Sequence, residues 1–167
     1  MAKAKLKRVS REREFLAAAD LAHTIWREHY AGIISSDQIE YMLEHFQSVA
    51  AIREADARGC EYYLVRVLGV NVGYVAIEPN NPQGKMFLSK IYLLKEYRGK
   101  GYARDVVNEV REMARALRLK SIRLTVAKNN TSSVAAYERL GFTNTEDICK
   151  EIGGGFVMDD HVMELSV

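Results

Sequence analysis

The spacing of apolar residues predicts two helices in the first third of the chain. Apolar side chains recur every three or four positions over residues 12–33, a period that places them on one face of a helix. The same spacing continues over residues 39–50, after helix-capping candidates at residues 35–37. We therefore expect a helical pair that follows a short first strand at residues 5–9.

The middle of the chain changes to a pattern that is typical of strands. Two β-rich runs within residues 61–84 flank the turn-prone segment 69–71, which predicts a hairpin, and another strand follows at 85–94. Helical spacing returns at residues 101–117, and alternating apolar residues at 121–127 predict one more strand. This strand–helix–strand order indicates a crossover between parallel strands.

The last part of the chain predicts a short helix and a final pair of strands. The helix is expected to begin after residues 129–131 and to end at Gly141, and two β-rich segments then surround the turn 153–155. Together the elements indicate an α/β protein with a mixed sheet. Because 167 residues with 48% hydrophobic content can bury one substantial core, we expect a single domain over residues 1–167.

Charge and cysteine content exclude several classes of function. The 24 basic and 22 acidic residues nearly cancel, which disfavours a nucleic-acid-binding surface. The sequence has no apolar run of membrane-spanning length and no signal peptide, so we expect a cytoplasmic protein without membrane partners. Cys60 and Cys149 lack metal-ligand spacing and indicate free thiols in a reducing compartment, with no metal site.

Residues 98–103, RGKGYA, form a glycine loop between a predicted strand and a predicted helix. The first amides of a helix lack intrahelical acceptors, and Gly99 and Gly101 would let phosphate oxygens approach them. Arg98, Lys100 and Arg104 add positive charge. The alternative is that glycine serves the turn geometry and the basic residues serve solubility. The loop lacks the third glycine of a dinucleotide site and the Gly-Lys-Ser/Thr ending of a P-loop.

Two segments carry a resemblance to a known family. R98-G-K-G-Y-A103 resembles the acyl-CoA pyrophosphate loop of the GNAT N-acetyltransferase superfamily, Gln/Arg-x-x-Gly-x-Gly/Ala. N130-T-S-S133-V-A-A-Y137-E-R-L-G141-F142 is similar to the downstream element of that superfamily, Asn-x-x-Ser/Ala-x-x-x-Tyr-x-x-x-Gly-Phe. The resemblance covers nearly the whole chain. It implies the GNAT fold, a central and mostly antiparallel twisted sheet with a splayed parallel strand pair and flanking helices.

The same resemblance implies acetyl-CoA as the cofactor and locates its binding site. Backbone groups of the central strand would pair with the pantetheine arm, the amides of the glycine loop would receive the pyrophosphate, and Asn130 would contact the arm. The expected cofactor-binding residues are Ile91, Tyr92, Leu93, Arg98, Gly99, Lys100, Gly101, Tyr102, Ala103, Asn130, Ser133 and Tyr137.

The resemblance assigns two catalytic roles. Tyr137 occupies the position of the general acid, because a phenol with a pKa of about 10 can donate a proton or a hydrogen bond to the departing thiolate. The amide of Leu93 would polarise the acetyl carbonyl. By itself, Tyr137 is more typical of a residue that packs on a short helix beside Val134 and Leu140, and the resemblance of its neighbours to the family reverses that preference.

The residue that accepts the proton of the attacking amine is not identified. Family members often use a carboxylate on a central strand, but neither FLSKIYLL nor SIRLTV contains Asp or Glu. Glu28, His29 and Glu78 are candidates by their location in the chain only.

The acceptor site is expected between the N-terminal helices and the last hairpin. Trp26, Tyr30 and Tyr41 are candidate substrate-binding residues, although aromatic residues at helical spacing more often form core. Similarity to a polyamine-acetyltransferase-like branch implies an N-acetyltransferase for a small or polycationic primary amine, which attacks directly in a ternary complex. A peptide acceptor, or a catalytically silent acyl-CoA-binding sensor, are the alternatives. A homodimer is a family-level expectation.

Overall fold

The computed structural model describes residues 2–167. Its strands are β1 (Lys5–Arg8), β2 (Glu61–Val67), β3 (Val70–Pro79), β4 (Lys85–Leu93), β5 (Ser121–Ala127), β6 (Thr143–Gly153) and β7 (Phe156–Ser166). Its α-helices are α1 (Glu12–His29), α2 (Ser36–Phe46), α3 (Val49–Ala57), α4 (Tyr102–Ala116) and α5 (Thr131–Arg139). No helix within the described range is long and apolar enough to cross a membrane.

All seven strands join one twisted sheet in the order β1-β2-β3-β4-β5-β7-β6. Among the strands of residues 2–167, β4 and β5 form the single parallel pair, and the other neighbours are antiparallel. The crossover through α4 that the sequence predicts is therefore present. The expected mixed α/β sheet is confirmed.

Side chains alternate between two cores on opposite faces of the sheet. On β3, Val75 and Ile77 join the core under α4, whereas Tyr74 and Ala76 join the core under α1–α3. We call these the α4-side core and the α1-side core. The apolar stripe of α4 is buried as predicted, because its period matches one helix face.

The second predicted helix is wrong in one respect, because two helices occupy its range. The chain leaves the helical conformation at Gln47, and Ser48 caps α3 by accepting a hydrogen bond from the Ala51 amide at 3.1 Å. The break turns the fully buried Gln47 side chain toward Tyr74, whose hydroxyl donates to Gln47 Oε1 at 3.2 Å. A tertiary hydrogen bond thus overrides the apolar period.

The parallel pairing of β4 and β5 stops after three residue pairs, the last of which joins Phe87 to Arg123. At the same level the β3–β4 register shifts, and Ser89 becomes an extra residue between the pairs formed by Leu88 and Lys90. Because a bulge bends its strand, β4 turns away from β5 beyond this point. The two strands therefore splay and leave a gap in the sheet.

Candidate functional site

A cavity of about 750 Å³ opens where β4 and β5 diverge. Its wall contains residues 88–93 of β4, 124–127 of β5, 157–160 of β7, the end of α1, the start of α2, the glycine loop and α5. The volume is in the range of small-molecule sites. The gap in the sheet lets groups from both faces reach one space.

The amide of Leu93 is directed toward this gap. The Leu94 amide donates to the carbonyl of Val72 at 2.8 Å, which makes these two residues a hydrogen-bonded pair. Hydrogen-bonded and non-hydrogen-bonded pairs alternate along antiparallel strands, so Leu93 opposite Gly73 belongs to a non-hydrogen-bonded pair. Backbone groups of Leu93 and of Ile91 therefore point away from β3. The Leu93 amide and the backbone groups of Ile91 form a free edge that an extended ligand can pair with, while the Leu93 carbonyl accepts a hydrogen bond from Arg98.

The glycine loop leaves open space at the start of α4. Gly99 and Gly101 have φ angles of 72° and 86°, which side-chain-bearing residues rarely adopt. A Cβ added to either would meet no atom within 4 Å in the described structure. The Arg98 guanidinium donates from Nε to the Leu93 carbonyl at 3.0 Å, while its buried Nη2 has no partner among residues 2–167. Bare amides, open space and a free guanidinium nitrogen fit the phosphates of coenzyme A.

The other loop residues differ in their positions. Ala103 lines the cavity. Lys100 and Tyr102 are not part of its wall: Lys100 Nζ lies 5.9 Å from the centre of the Tyr97 ring, and Tyr102 is buried in the α4-side core. If these two residues contact a cofactor, they do so through their backbone amides.

Asn130 connects the start of α5 to the end of α1. Its Oδ1 accepts the Ser133 amide at 3.3 Å and thereby caps α5. Its Nδ2 donates to Nε2 of His29 at 2.8 Å, which requires the ring tautomer with an unprotonated Nε2. Asn130, Ser133 and His29 all line the cavity.

His29 is held in its neutral form. Burial, reinforced by the positive charge of Arg98, lowers the pKa of His29 to about 4. At neutral pH the ring is an acceptor for Asn130, but it is a weak base toward an ammonium group.

Three tyrosines meet at the cavity from different elements. The Tyr30 and Tyr92 hydroxyls lie 2.9 Å apart. Tyr137 packs in the α4-side core, with its ring centre 5.7 Å from that of Phe142. Burial, together with the nearby Tyr30, raises the pKa of Tyr137 above its ordinary value. The phenol is therefore protonated at neutral pH and can donate to a developing anion.

The two remaining aromatic candidates lie outside the cavity wall. Trp26 is buried beneath Tyr30 and Tyr92, and its Nε1 donates to the Tyr74 hydroxyl at 2.6 Å. It supports the tyrosines rather than lining the space. Tyr41 donates from its hydroxyl to the carbonyl of Ile152 at 3.2 Å and holds the β6–β7 turn against α2.

The structure also separates the three candidate bases. Glu28 is exposed on α1 and does not line the cavity. Glu78 lines a different cavity of about 550 Å³ near α3. His29 lines the main cavity, but its low pKa makes it a poor base.

From the sequence, Asp159 and Asp160 beside His161 could attract a cation or solvate a hairpin, and neither is a predicted site residue; Asp160 lies in the wall of the main cavity and is only 3% exposed. A signal was present, because Met158, Asp160 and Val162 share one strand face and an acidic residue at a buried position is unusual. Within residues 2–167, no group of three or more His, Cys, Asp or Glu side chains could hold a metal ion.

Comparisons with known proteins identify the family of this chain. The sequence pattern of the acetyltransferase (GNAT) family matches residues 19–142. The chain is 26% identical over 125 residues to a probable spermine N(1)-acetyltransferase of Bacillus subtilis subsp. natto (strain BEST195), covering 69% of this chain and 82% of the relative. It is 32% identical over 73 residues to an uncharacterized N-acetyltransferase, YycN, of Bacillus subtilis (strain 168), covering 44% of this chain and 47%, about half, of that relative.

Solved structures share the fold at lower identity. A PaiA N-acetyltransferase from Thermoplasma acidophilum in complex with coenzyme A has a TM-score of 0.79 at 19% identity, covering 99% of both chains. A spermidine N-acetyltransferase from Vibrio cholerae in complex with coenzyme A and spermine has a TM-score of 0.71 at 20% identity, covering 98% of this chain and 95% of the other. At these identities the likeness concerns the fold alone.

Proposed function

Since the chain belongs to the GNAT acetyltransferase family, we propose that it transfers the acetyl group of acetyl-CoA to a primary amine. Acetyl-CoA is the acetyl donor of this family, and the cavity fits it. The acceptor is a small molecule or a polyamine, and it attacks directly in a ternary complex. The observation that carries this proposal is the gap between β4 and β5, which brings the Leu93 amide, the glycine loop and Tyr137 to one cavity.

Each of these groups suits one part of the reaction. The free edge at Ile91 and Leu93 would bind the extended arm of the donor, and the Leu93 amide would stabilise negative charge on the acetyl oxygen. Tyr137 would donate to the departing sulfur. Because its pKa lies above that of a thiol, hydrogen-bond donation to the thiolate is the favourable part of this step.

Two contacts favour a small acceptor over a protein segment. Gln38 Nε2 donates to the carbonyl of Val157 at 3.0 Å, and Asn129 Nδ2 donates to the carbonyl of Ile33 at 3.4 Å. These hydrogen bonds tie α2 to β7, and the loop before α5 to the loop after α1, on the acceptor side. These ties between separate elements leave less freedom for a peptide chain to enter, which favours a small acceptor. The likeness to a spermine acetyltransferase and to a spermidine acetyltransferase also supports an amine substrate.

A direct assay tests the proposal. We would measure thiol release from acetyl-CoA with a panel of polyamines, amino acids, aminoglycosides and short peptides, and titrate coenzyme A into the same protein. Saturable, amine-dependent release would support the function, and the preferred amine would identify the acceptor class. Binding of coenzyme A without turnover on any amine would favour the sensor, and absence of binding would exclude both.

Three further expectations belong to the same proposal. The free thiols of Cys60 and Cys149 support a reducing, cytoplasmic location. A single domain over residues 1–167 and a homodimer stay predictions. Sedimentation of the purified protein would measure its oligomeric state.

A further inference from the structure

Asp160 is a buried carboxylate in the cavity wall. The residue is 3% exposed, and its Oδ1 has no hydrogen-bond partner in the part of the chain that the structure describes. Burial of an unpaired carboxylate is unfavourable, and such groups concentrate at functional sites. A ligand with a positive charge or a hydrogen-bond donor would satisfy the free oxygen.

The strand geometry directs Asp160 to the acceptor side of the gap. Asp160 lies opposite Ala127 at the end of β5, where β4 has already diverged. It shares a strand face with Met158, which packs in the α1-side core. Tyr137 packs in the α4-side core. The two groups therefore approach the gap from opposite faces of the sheet.

Asp160 is also the carboxylate of this cavity that is left to bind a cationic ligand. Asp159 and Asp160 are the acidic residues of its wall within residues 2–167. The Asp159 carboxylate is half exposed and lies 2.9 Å from Lys128 Nζ, so it is already paired. The basic residues of the wall are Arg98 and Arg104 at the glycine loop, Lys90 on β4 and Arg139 on α5. Asp160 is therefore the wall carboxylate that is left for a cationic ligand.

We propose that Asp160 binds the ammonium group of the acceptor and takes its proton before the nitrogen attacks the thioester. This inference rests on the proposed acetyl transfer and adds the residue that its proton balance requires. It also places the amine on the face of the sheet that α1 covers, across the gap from Tyr137.

The step balances in atoms and charge. One proton passes from the ammonium to the Asp160 carboxylate, and the freed lone pair forms the C–N bond at the acetyl carbon. The C–S bond breaks, its electron pair goes to sulfur, and the thiolate accepts a hydrogen bond from Tyr137. The second proton of the nitrogen reaches the sulfur through solvent, while Asp160 releases its proton to solvent. The net products are an amide, a thiol and one proton.

The surroundings of Asp160 tune its basicity. Burial, reinforced by the charge of Asp159, raises the pKa of Asp160 to about 6, while Thr125, His161 and Lys128 oppose the shift. The carboxylate is therefore charged above about pH 6 and is a stronger base than an ordinary aspartate. The titratable groups that face it or lie nearby are His29 at the end of α1, Tyr30 directly after α1, Tyr137 of α5, Lys128 after β5, and Asp159 and His161 of β7.

The test compares Asp160→Asn with Asp159→Asn, which removes the neighbouring but already paired carboxylate. Amine binding is measured by calorimetry with n-butylamine and spermidine on the coenzyme A-saturated protein at about pH 8, where Asp160 is charged. Turnover is measured as thiol release between about pH 5 and pH 9. Coenzyme A affinity and urea unfolding verify that each variant is folded.

We expect Asp160→Asn to lower kcat/KM by about 10²–10⁴-fold and to remove the acidic limb of the rate profile near pH 6. Amine affinity should fall about tenfold or more, and coenzyme A affinity should stay within about twofold. At about pH 8, Asp159→Asn should change turnover by less than about threefold; its acidic limb should persist and move to lower pH, because the charge of Asp159 raises the pKa of Asp160. Equal amine affinity and an unchanged acidic limb in Asp160→Asn would overturn the assignment.

The same data separate this inference from the proposed function. Amine-dependent turnover that is equal in the wild-type protein and Asp160→Asn would preserve the acetyltransferase and reject Asp160. Amine binding that depends on Asp160, without thiol release, would preserve the binding role and reject both the proton-accepting role and acetyl transfer. Failure of the wild-type protein to bind either amine would reject the role of Asp160.

Discussion

Asn130 donates a hydrogen bond of 2.8 Å to Nε2 of His29 and so joins the N-cap of α5 to the last turn of α1. Both residues line the cavity, and Asn130 is 3% exposed. The contact fixes the position of α5, which carries Tyr137, relative to the helix that carries Tyr30. The geometry of the site therefore depends on one side-chain amide, which caps α5 through its oxygen and donates to the His29 ring through its nitrogen.

Asn130→Ala should destabilise the protein more than loss of an ordinary helix cap does. Removal of an N-cap costs about 0.5–2 kcal/mol, and loss of the buried hydrogen bond to His29 adds about 1 kcal/mol. Ser35→Ala is the matched control, because Ser35 caps α2 by accepting the Gln38 amide at 3.1 Å. Urea unfolding of both variants measures the difference, and equal losses would show that the bond to His29 contributes nothing.

His29 and Asp160 should change the pH dependence of stability in opposite directions. The folded-state pKa of His29 is about 4, below its ordinary 6.5. Its contribution to the free energy of unfolding is therefore full above pH 6.5 and is lost as pH falls. The folded-state pKa of Asp160 is about 6, above its ordinary 3.8. Its contribution to the free energy of unfolding is therefore full below pH 3.8 and is lost as pH rises.

Below about pH 6, the free energy of unfolding should therefore fall less steeply with decreasing pH in His29→Gln than in the wild-type protein. In Asp160→Asn it should fall more steeply. Urea titrations at several pH values between about 4 and 6.5 measure both slopes. Each variant serves as the control for the other. Slopes that change in the same direction, or not at all, would contradict the two pKa shifts.

Tyr137→Phe should reduce kcat by about 10²–10⁴-fold while coenzyme A affinity stays within about twofold. The substitution removes the donor to the departing sulfur and keeps the ring that packs on Phe142. Tyr63→Phe is the control, because the Tyr63 hydroxyl donates to Glu61 on β2, outside the cavity wall. Thiol-release kinetics with the preferred amine decide the result, and unchanged turnover would exclude an acid role for Tyr137.

Gly101→Ala should weaken coenzyme A binding by about tenfold or more, because the methyl group would enter the space that the phosphates need and disfavour the φ of 86°. Gly84→Ala is a close control, since Gly84 also has a φ of 86° and open space around it but lies outside the cavity wall. Calorimetry with coenzyme A and with pantetheine, which lacks the pyrophosphate, separates the effects. Equal weakening for both ligands would argue against phosphate binding at the loop.

Local patterns were sufficient for much of the fold. The buried stripe of α4 and the alternation in β5 depend on neighbours within one element, so periodicity predicts them directly. The glycine loop is also local, because Gly99 and Gly101 sit within one turn before a helix. The break between α2 and α3 is hidden in the sequence because the apolar period continues through it, although Ser48 supplies a local cap for α3 and Tyr74 of β3 binds Gln47.

The sequence by itself determined the family, the order of the strands along the chain and the loop that suits phosphates, because each depends on residues close together in the chain. Only the tertiary structure decided that Trp26 lies beneath the cavity wall and that Asp160 lies within it. Asp160 is brought to the gap by the pairing of β7 with β5, and its neighbour on the same strand face, Met158, packs in a core formed with helices far away in the sequence. Burial of that carboxylate, and the basicity that follows from it, are properties of packing between distant segments.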